Sequence, residues 1–149
     1  MMTKVTTNRA APLDYNLEKQ VGFLLRQVNQ RHAAIFQSHM GEELTPTQWS
    51  MLVRLSQEGP CSQNQLGRLI GLDAPTTNGV VRRLSRRGLL RAIPDAADSR
   101  KLVLSITAAG RTLLSKLLPV AHRITAETLA PLNAREQRQF LAHLQKVAR

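Results

Sequence analysis

The chain holds one cysteine, Cys61, in 149 residues. An intrachain disulfide is excluded, and a reducing compartment fits. Aromatic residues are only 3% of the chain. With 42% apolar residues there is still enough for a core, but that core must be aliphatic, packed with Leu and Val. Acidic side chains number 10 against 21 Lys and Arg. No apolar run is long enough to span a bilayer, and residues 1–13 lack the apolar stretch of a signal peptide. The expectation is a soluble, cytoplasmic protein with no membrane partner. The four histidines and ten acids are scattered over helix faces. They form no nucleophile–base set and no metal motif, and no glycine-rich loop could cradle a phosphate. Catalysis is therefore not expected, and neither a metal nor another cofactor is called for.

What is present is positive charge. The formal net charge is +11, and arginine dominates it. Arginine suits planar, bidentate recognition of phosphate and guanine better than lysine does. A surplus this large points first to nucleic acid.

The residues from Asp73 to Gly88 concentrate that charge. Asp73 is a good N-cap, Pro75 fits the first turn, and Gly88 supplies a left-handed stop, so the stretch reads as one helix. At 100° per residue Thr77, Val80, Val81, Leu84 and Gly88 fall on one side. Pro75, Gly79, Arg82 and Arg86 fall opposite, with Thr76, Asn78 and Arg83 beside them. Short polar groups near the N-terminus suit base edges in a major groove, and arginines suit phosphates or guanine. The plainer alternative is a solvated charged face. Arg82, Arg83, Arg86 and Arg87 have no acidic partner in the helix body, and their mutual repulsion argues for an external anion.

The rest of the chain frames this helix. Asp14 is expected to cap a long amphipathic helix reaching Met40, with Leu17, Val21, Leu24, Leu25, Val28, Ile35 and Phe36 on its apolar side. Thr45-Pro46-Thr47-Gln48 is a capping box opening a second helix, which Glu58-Gly59-Pro60 ends. Ser62-Gln63-Asn64-Gln65 reads as another capping box, before a short helix that buries Leu66, Leu69 and Ile70 and stops at Gly71. Two short helices joined tightly, the second basic outside, make a helix-turn-helix. Leu89–Ile93 and the alternating Leu102–Ile106 form a β-hairpin whose loop carries Arg100 and Lys101. That hairpin is a wing, and an arginine on it suits a narrow minor groove. Thr107 caps a further helix, with a kink expected near Pro119, and Asn133-Ala-Arg-Glu136 caps a last one burying Phe140, Leu141, Leu144 and Val147.

The expected fold is mainly α, a winged helix-turn-helix with flanking helices. Residues 1–13 are a disordered lead, 14–43 and 108–149 are dimerisation helices, and 44–107 are the DNA-binding domain. The outer helices carry more apolar surface than so small a domain can cover, which calls for a second copy.

On these residues the chain resembles the MarR family of bacterial transcriptional regulators. The likeness rests on Asp98-Ser-Arg-Lys-Leu-Val-Leu-Ser-Ile-Thr-Ala-Ala-Gly110, similar to the family's wing and the helix after it, and on Val81-Arg-Arg-Leu-Ser-Arg-Arg-Gly-Leu89, similar to the end of its recognition helix. It covers roughly residues 15–148. It implies a homodimer with two recognition helices in successive major grooves of a pseudo-palindromic operator, half-sites about 10 bp apart. Thr76, Asn78 and Arg82 would then read bases or nearby phosphates, and Asn64 and Arg86 would hold backbone. Arg100 would enter the minor groove, with Lys101 beside it and Asp98 orienting a neighbouring arginine. Asn78 and Gly79 depart from the residues common in the family, which bears on the operator sequence rather than on DNA binding.

The resemblance also implies a small aromatic acid or phenol bound between the dimer helices and the winged domain. His32, Phe36 and His39 share one side of the first helix, and Trp49 opens the next. Imidazole for a carboxylate and rings for stacking would suit such a ligand. Core and dimer-interface packing is the plainer reading of the same four residues. Two histidines without a nearby Cys or carboxylate are poor metal ligands. Cys61, in a turn, reads as a small structural residue. The functional expectation is a ligand-released repressor. The competing one is a sequence-tolerant winged-helix protein, architectural or RNA-binding.

Overall fold

The computed structural model describes residues 10–149. Most of the expected lead therefore lies outside the described residues. Asp14 caps nothing. A single 3-10 turn, Leu17–Lys19, comes first, and α1 runs Val21–Met40 from Gln20, whose side chain makes no capping bond. Gln20 is extended, at φ −88° and ψ 132°, and separates that turn from α1.

The later starts follow their caps. Thr45 and Gln48 close a reciprocal capping box on α2, Pro46–Glu58. Ser62 accepts from the Gln65 amide to open α3, Gln63–Ile70, but only this half of the expected box forms. Asp73 accepts from the Thr76 amide and opens α4, Ala74–Arg86. Gly71 and Gly88, at φ 71° and 70°, make the left-handed stops on either side of α4. Thr107 caps α5, Ala108–Leu129, which continues through Pro119 without a break. Asn133 and Glu136 form a full capping box on α6, Ala134–Val147.

The sheet has three strands where a two-stranded hairpin was expected. β1, Cys61–Ser62, pairs antiparallel with β3, Leu102–Ile106, and β2, Leu90–Pro94, pairs with β3 on its other side. The register sets Cys61 opposite Leu104 and Leu90 opposite Ile106. Leu104 and Ile106 face inward, while Leu102, the third residue of that alternation, lies nearer the wing tip and is exposed.

Met40, Leu44, Met51, Leu52, Leu55, Leu66, Val80, Val81, Leu84, Leu90 and Leu104 form one aliphatic core under the helix-turn-helix. The predicted inner side of α4 is confirmed at Thr77, Val80, Val81 and Leu84, whereas Gly88 lies at the surface. Leu69 is not buried as expected; it is 40% exposed at the end of α3. Two glycines mark close approaches. A Cβ on Gly67 would stand 2.8 Å from Thr77 Oγ1, which locks α3 against α4. A Cβ on Gly110 would stand 2.2 Å from the Leu89 carbonyl oxygen.

The expected buried side of α6 is absent in a single chain. Leu141 and Val147 are exposed, as are Val21, Leu24, Leu25 and Val28 of α1. Leu25, Val28, Leu129, Phe140, Leu141 and Leu144 line an apolar groove of about 310 Å³ between α1, α5 and α6.

Candidate functional site

The outer face of α4 is built by its two caps and its buried stripe. With Thr77, Val80, Val81 and Leu84 turned inward, Thr76, Asn78, Arg82, Arg83 and Arg86 are left exposed. The ion pairs among the described residues are His39–Glu127, Arg54–Glu58, Arg100–Asp98 and Lys116–Glu43. Arg82, Arg83 and Arg86 thus face solvent with no carboxylate partner. Arg87, the fourth of the block, differs: it donates to the Glu43 carbonyl at 2.6 Å and ties the end of α4 to the loop before α2. Asp73, held by the Thr76 hydroxyl and then by the Thr76 amide, has its carboxyl below the ordinary carboxylate range and so stays ionised at the positive end of α4.

The wing lies beside the start of α3. Ser62, Gln63, Asn64, Arg68, Asp95, Arg100 and Lys101 line a polar groove of about 450 Å³. The fold therefore brings Asn64 together with Arg100 and Lys101, residues 36 or more positions away in the chain. Gln63 and Arg68 belong to the same groove and were not singled out in the sequence. Arg68 stands one turn after Asn64, and that i, i+4 spacing is the signal that could have found it. Gln63 Nε2 also donates to Asn78 Oδ1 at 3.5 Å, linking the start of α3 to the outer face of α4.

At the wing tip, Arg100 Nε and Nη2 donate to the two Asp98 carboxylate oxygens at 3.0 and 3.2 Å, and the Arg100 amide adds a third bond. These bonds lower the Asp98 pKa. The guanidinium is held at its base while its side chain remains 89% exposed. The folded carboxyl titrates below its unfolded counterpart, so the pair is intact at neutral pH and is lost only as pH falls beneath the ordinary carboxylate range. Asp98→Asn should weaken duplex binding about 3- to 10-fold by releasing that pose. The deficit should be constant from about pH 8 to pH 5, well above a carboxylate's titration; anisotropy titrations across that range would show it, and a deficit that shrank toward pH 5 would count against the pair.

A cavity of about 190 Å³ lies between the outer helices and α2. His32, Phe36, Pro46, Trp49, Ser50, Ala121, Ile124 and Thr125 line it. Three of the four residues expected to meet a ligand are gathered here. His39 is not: its Nε2 bonds to Glu127 of α5, one turn beyond the cavity wall. The His32 ring is fixed by a 2.8 Å bond between Nδ1 and Thr128 Oγ1, and its centroid lies 6.4 Å from that of Phe36. Cys61 is buried, and burial together with the nearby Glu58 charge raises its thiol pKa, so it is an inert packing residue. Among the described residues no group of three His, Cys, Asp or Glu side chains could hold a metal ion, and no helix is long and apolar enough to cross a membrane.

Comparison with known proteins agrees with this arrangement. Residues 44–102, from the start of α2 to the wing, match the MarR family. The HTH-type transcriptional repressor NicR of Pseudomonas putida is 39% identical over 98% of this chain and 95% of its own length. A probable transcriptional regulator from Pseudomonas aeruginosa superposes with a TM-score of 0.85 at 48% identity, over 89% of this chain and 99% of that one. BpsR of Bordetella bronchiseptica, whose DNA binding is regulated by 6-hydroxynicotinic acid, gives 0.86 at 37% identity, over 93% and 98%. With the likeness running nearly end to end and the recognition helix, wing and outer helices all in place, the chain belongs to the MarR family of winged helix-turn-helix regulators.

Proposed function

We propose that two copies of this chain bind a pseudo-palindromic operator as a repressor and leave it when a hydroxylated aromatic acid fills the cavity beside Trp49. The observation that carries the DNA reading is the row of unpaired arginines on α4, with the Asn64–Arg68–Arg100–Lys101 groove beside it. Thr76, Asn78 and Arg82 face the bases or adjoining phosphates, Asn64, Arg68 and Arg86 hold backbone, and Arg100 with Lys101 follows the minor groove. Residues 44–107 hold DNA in this reading, while 14–43 and 108–149 hold the partner copy. The exposed apolar faces of α1 and α6 support that pairing, because a lone chain would leave them in water. A repressor of this kind acts on chromosomal DNA, so this reading puts its function in the cytoplasm.

The cavity is small, at about 190 Å³. Such a volume suits one ring rather than a drug-sized molecule. Phe36 and Trp49 offer ring faces, and His32, Ser50 and Thr125 offer polar atoms for a carboxylate and a hydroxyl. A ligand that favours the spacing of recognition helices that does not fit DNA must, by linkage, be excluded by operator to the same degree. The regulation of BpsR by 6-hydroxynicotinic acid supports this class of effector.

The test is anisotropy with a duplex from the region upstream of the gene. Affinity should be nanomolar and fall steeply with salt, and 6-hydroxynicotinic acid should weaken it. His32→Ala should keep operator affinity and lose the response to the acid. Equal affinity for every duplex tried, or competition by double-stranded RNA as good as by operator, would favour a sequence-tolerant nucleic-acid protein instead.

A further inference from the structure

Trp49 lines two cavities, not one. On one side is the cavity with His32 and Phe36. On the other is a separate space of about 260 Å³ lined by Ser50, Val53, Arg54, Gln57, Leu69 and Ile70. The opposite side of α2 is fixed in the core through Met51, Leu52 and Leu55. Trp49, with its neighbour Ser50, thus borders both spaces, and each space is open to solvent. The side chain is only half-buried, so the core does not pin it as it pins Met51 and Leu52. Here a ligand on one side has room to displace the ring toward the other.

What lies on that other side is the end of α3. Ile70 is its last residue, and only Gly71, Leu72 and Asp73 separate it from the first residue of α4. This link is taut: the Leu72 amide donates to the Gly67 carbonyl at 2.9 Å. Gly67 also touches Thr77, and Thr77 Oγ1 donates to the Asp73 carbonyl at 2.8 Å. The two helices meet at Gly67 and Thr77 beside a space of about 180 Å³, and the three-residue link between them carries a tilt of α3 into α4.

We propose that Trp49 is the positioning residue that transmits effector occupancy to the recognition helix, acting across the second cavity on Leu69 and Ile70. This rests on the effector reading of the first cavity. The empty space beside Leu69 and Ile70 is what lets α3 and α4 keep their DNA-binding tilt, and a displaced indole takes it up.

The test uses the full-length protein, its upstream duplex and 6-hydroxynicotinic acid as the probe. Leu69→Ala and Ile70→Ala, singly and together, enlarge the second cavity without touching the first. Leu69 is already 40% exposed, so its truncation keeps the fold even if Ile70→Ala does not. Calorimetry reads binding of the acid, and anisotropy reads operator affinity with and without it. The wild type should bind the acid and lose at least about 10-fold in operator affinity, within the usual range of allosteric coupling. The double variant should bind the acid with unchanged affinity and lose less than about 3-fold, with Leu69→Ala between the two. Trp49→Phe, a smaller ring, should likewise couple less per bound ligand. Undiminished release in the Leu69 and Ile70 variants would overturn the relay while leaving the effector site standing. No binding of the acid to wild type would remove the effector reading and the relay together.

Discussion

Gly110→Ala should cost this protein about 3 kcal/mol or more of folding stability, the upper part of the range for forced overpacking. A methyl group there would stand 2.2 Å from the Leu89 carbonyl oxygen, 2.7 Å from the Ile106 side chain and 3.2 Å from the Leu89 carbonyl carbon. Two of these three atoms belong to backbone, so no rotamer change relieves the clash. The contact lies where α5 leaves the winged domain, at a junction held by three further bonds. Thr107 donates from Oγ1 to the Gly88 carbonyl at 2.6 Å and from its amide to the Leu89 carbonyl at 3.1 Å, and Thr107 Oγ1 accepts from the Gly110 amide at 3.0 Å. Moving α5 away to admit the methyl would strain the two bonds to Gly88 and Leu89. Thermal unfolding should show a fall in Tm of roughly 10 °C or more, at a few degrees per kcal/mol for a chain of this size. Gly79→Ala is the control: nothing lies within 4 Å of a Cβ there, and replacing a mid-helix glycine should leave Tm equal or higher. A Gly110→Ala protein as stable as wild type would mean that α5 is not seated against Leu89.

Arg82→Ala with Arg100→Ala should lower operator affinity by roughly 10²- to 10⁴-fold, at about 1–3 kcal/mol for each well-placed arginine. The two side chains lie on separate elements, α4 and the wing, and neither supports the core, so the loss should come without a change in Tm. Their roles should separate in the salt dependence. A pure phosphate contact contributes about 0.9 to the slope of log K against log salt, whereas a base contact also changes which sequences are preferred. Arg82→Ala should therefore relax specificity at one position of each half-site. Arg100→Ala should weaken binding most where the flanking minor groove is narrow, as in A-tracts. Unchanged affinity in the double variant would remove α4 and the wing as the DNA-binding surface.

Most of this surface was legible in the chain because its signals are local. An N-cap acts on an amide three residues away, and a helical stripe repeats within two turns, so Asp73, Pro75 and the Thr77–Leu84 stripe announced α4 and its exposed arginines without any tertiary knowledge. Thr45, Thr107 and Asn133 announced their helices in the same way. At Asp14 the same reasoning placed the cap six residues before Gln20, because an extended Gln20 interrupts the chain between the first turn and α1.

What depended on distant partners was not legible. β1 is two residues long, too short for any periodicity, and exists because Leu104 and Val103 come to lie beside it. Arg87 left the arginine block for the Glu43 carbonyl, and His39 left the cavity for Glu127, each following an acceptor 44 and 88 positions away. The composition, the caps and the 3.6-residue repeat of this chain determined which segments are helical and which faces carry charge, since those are set by neighbours a turn apart. Only the tertiary structure decided that Arg68 joins the wing groove, that Gly110 seats α5 on Leu89, and that Trp49 borders two cavities, because each depends on the crossing of elements whose distance in space bears no relation to their separation along the chain.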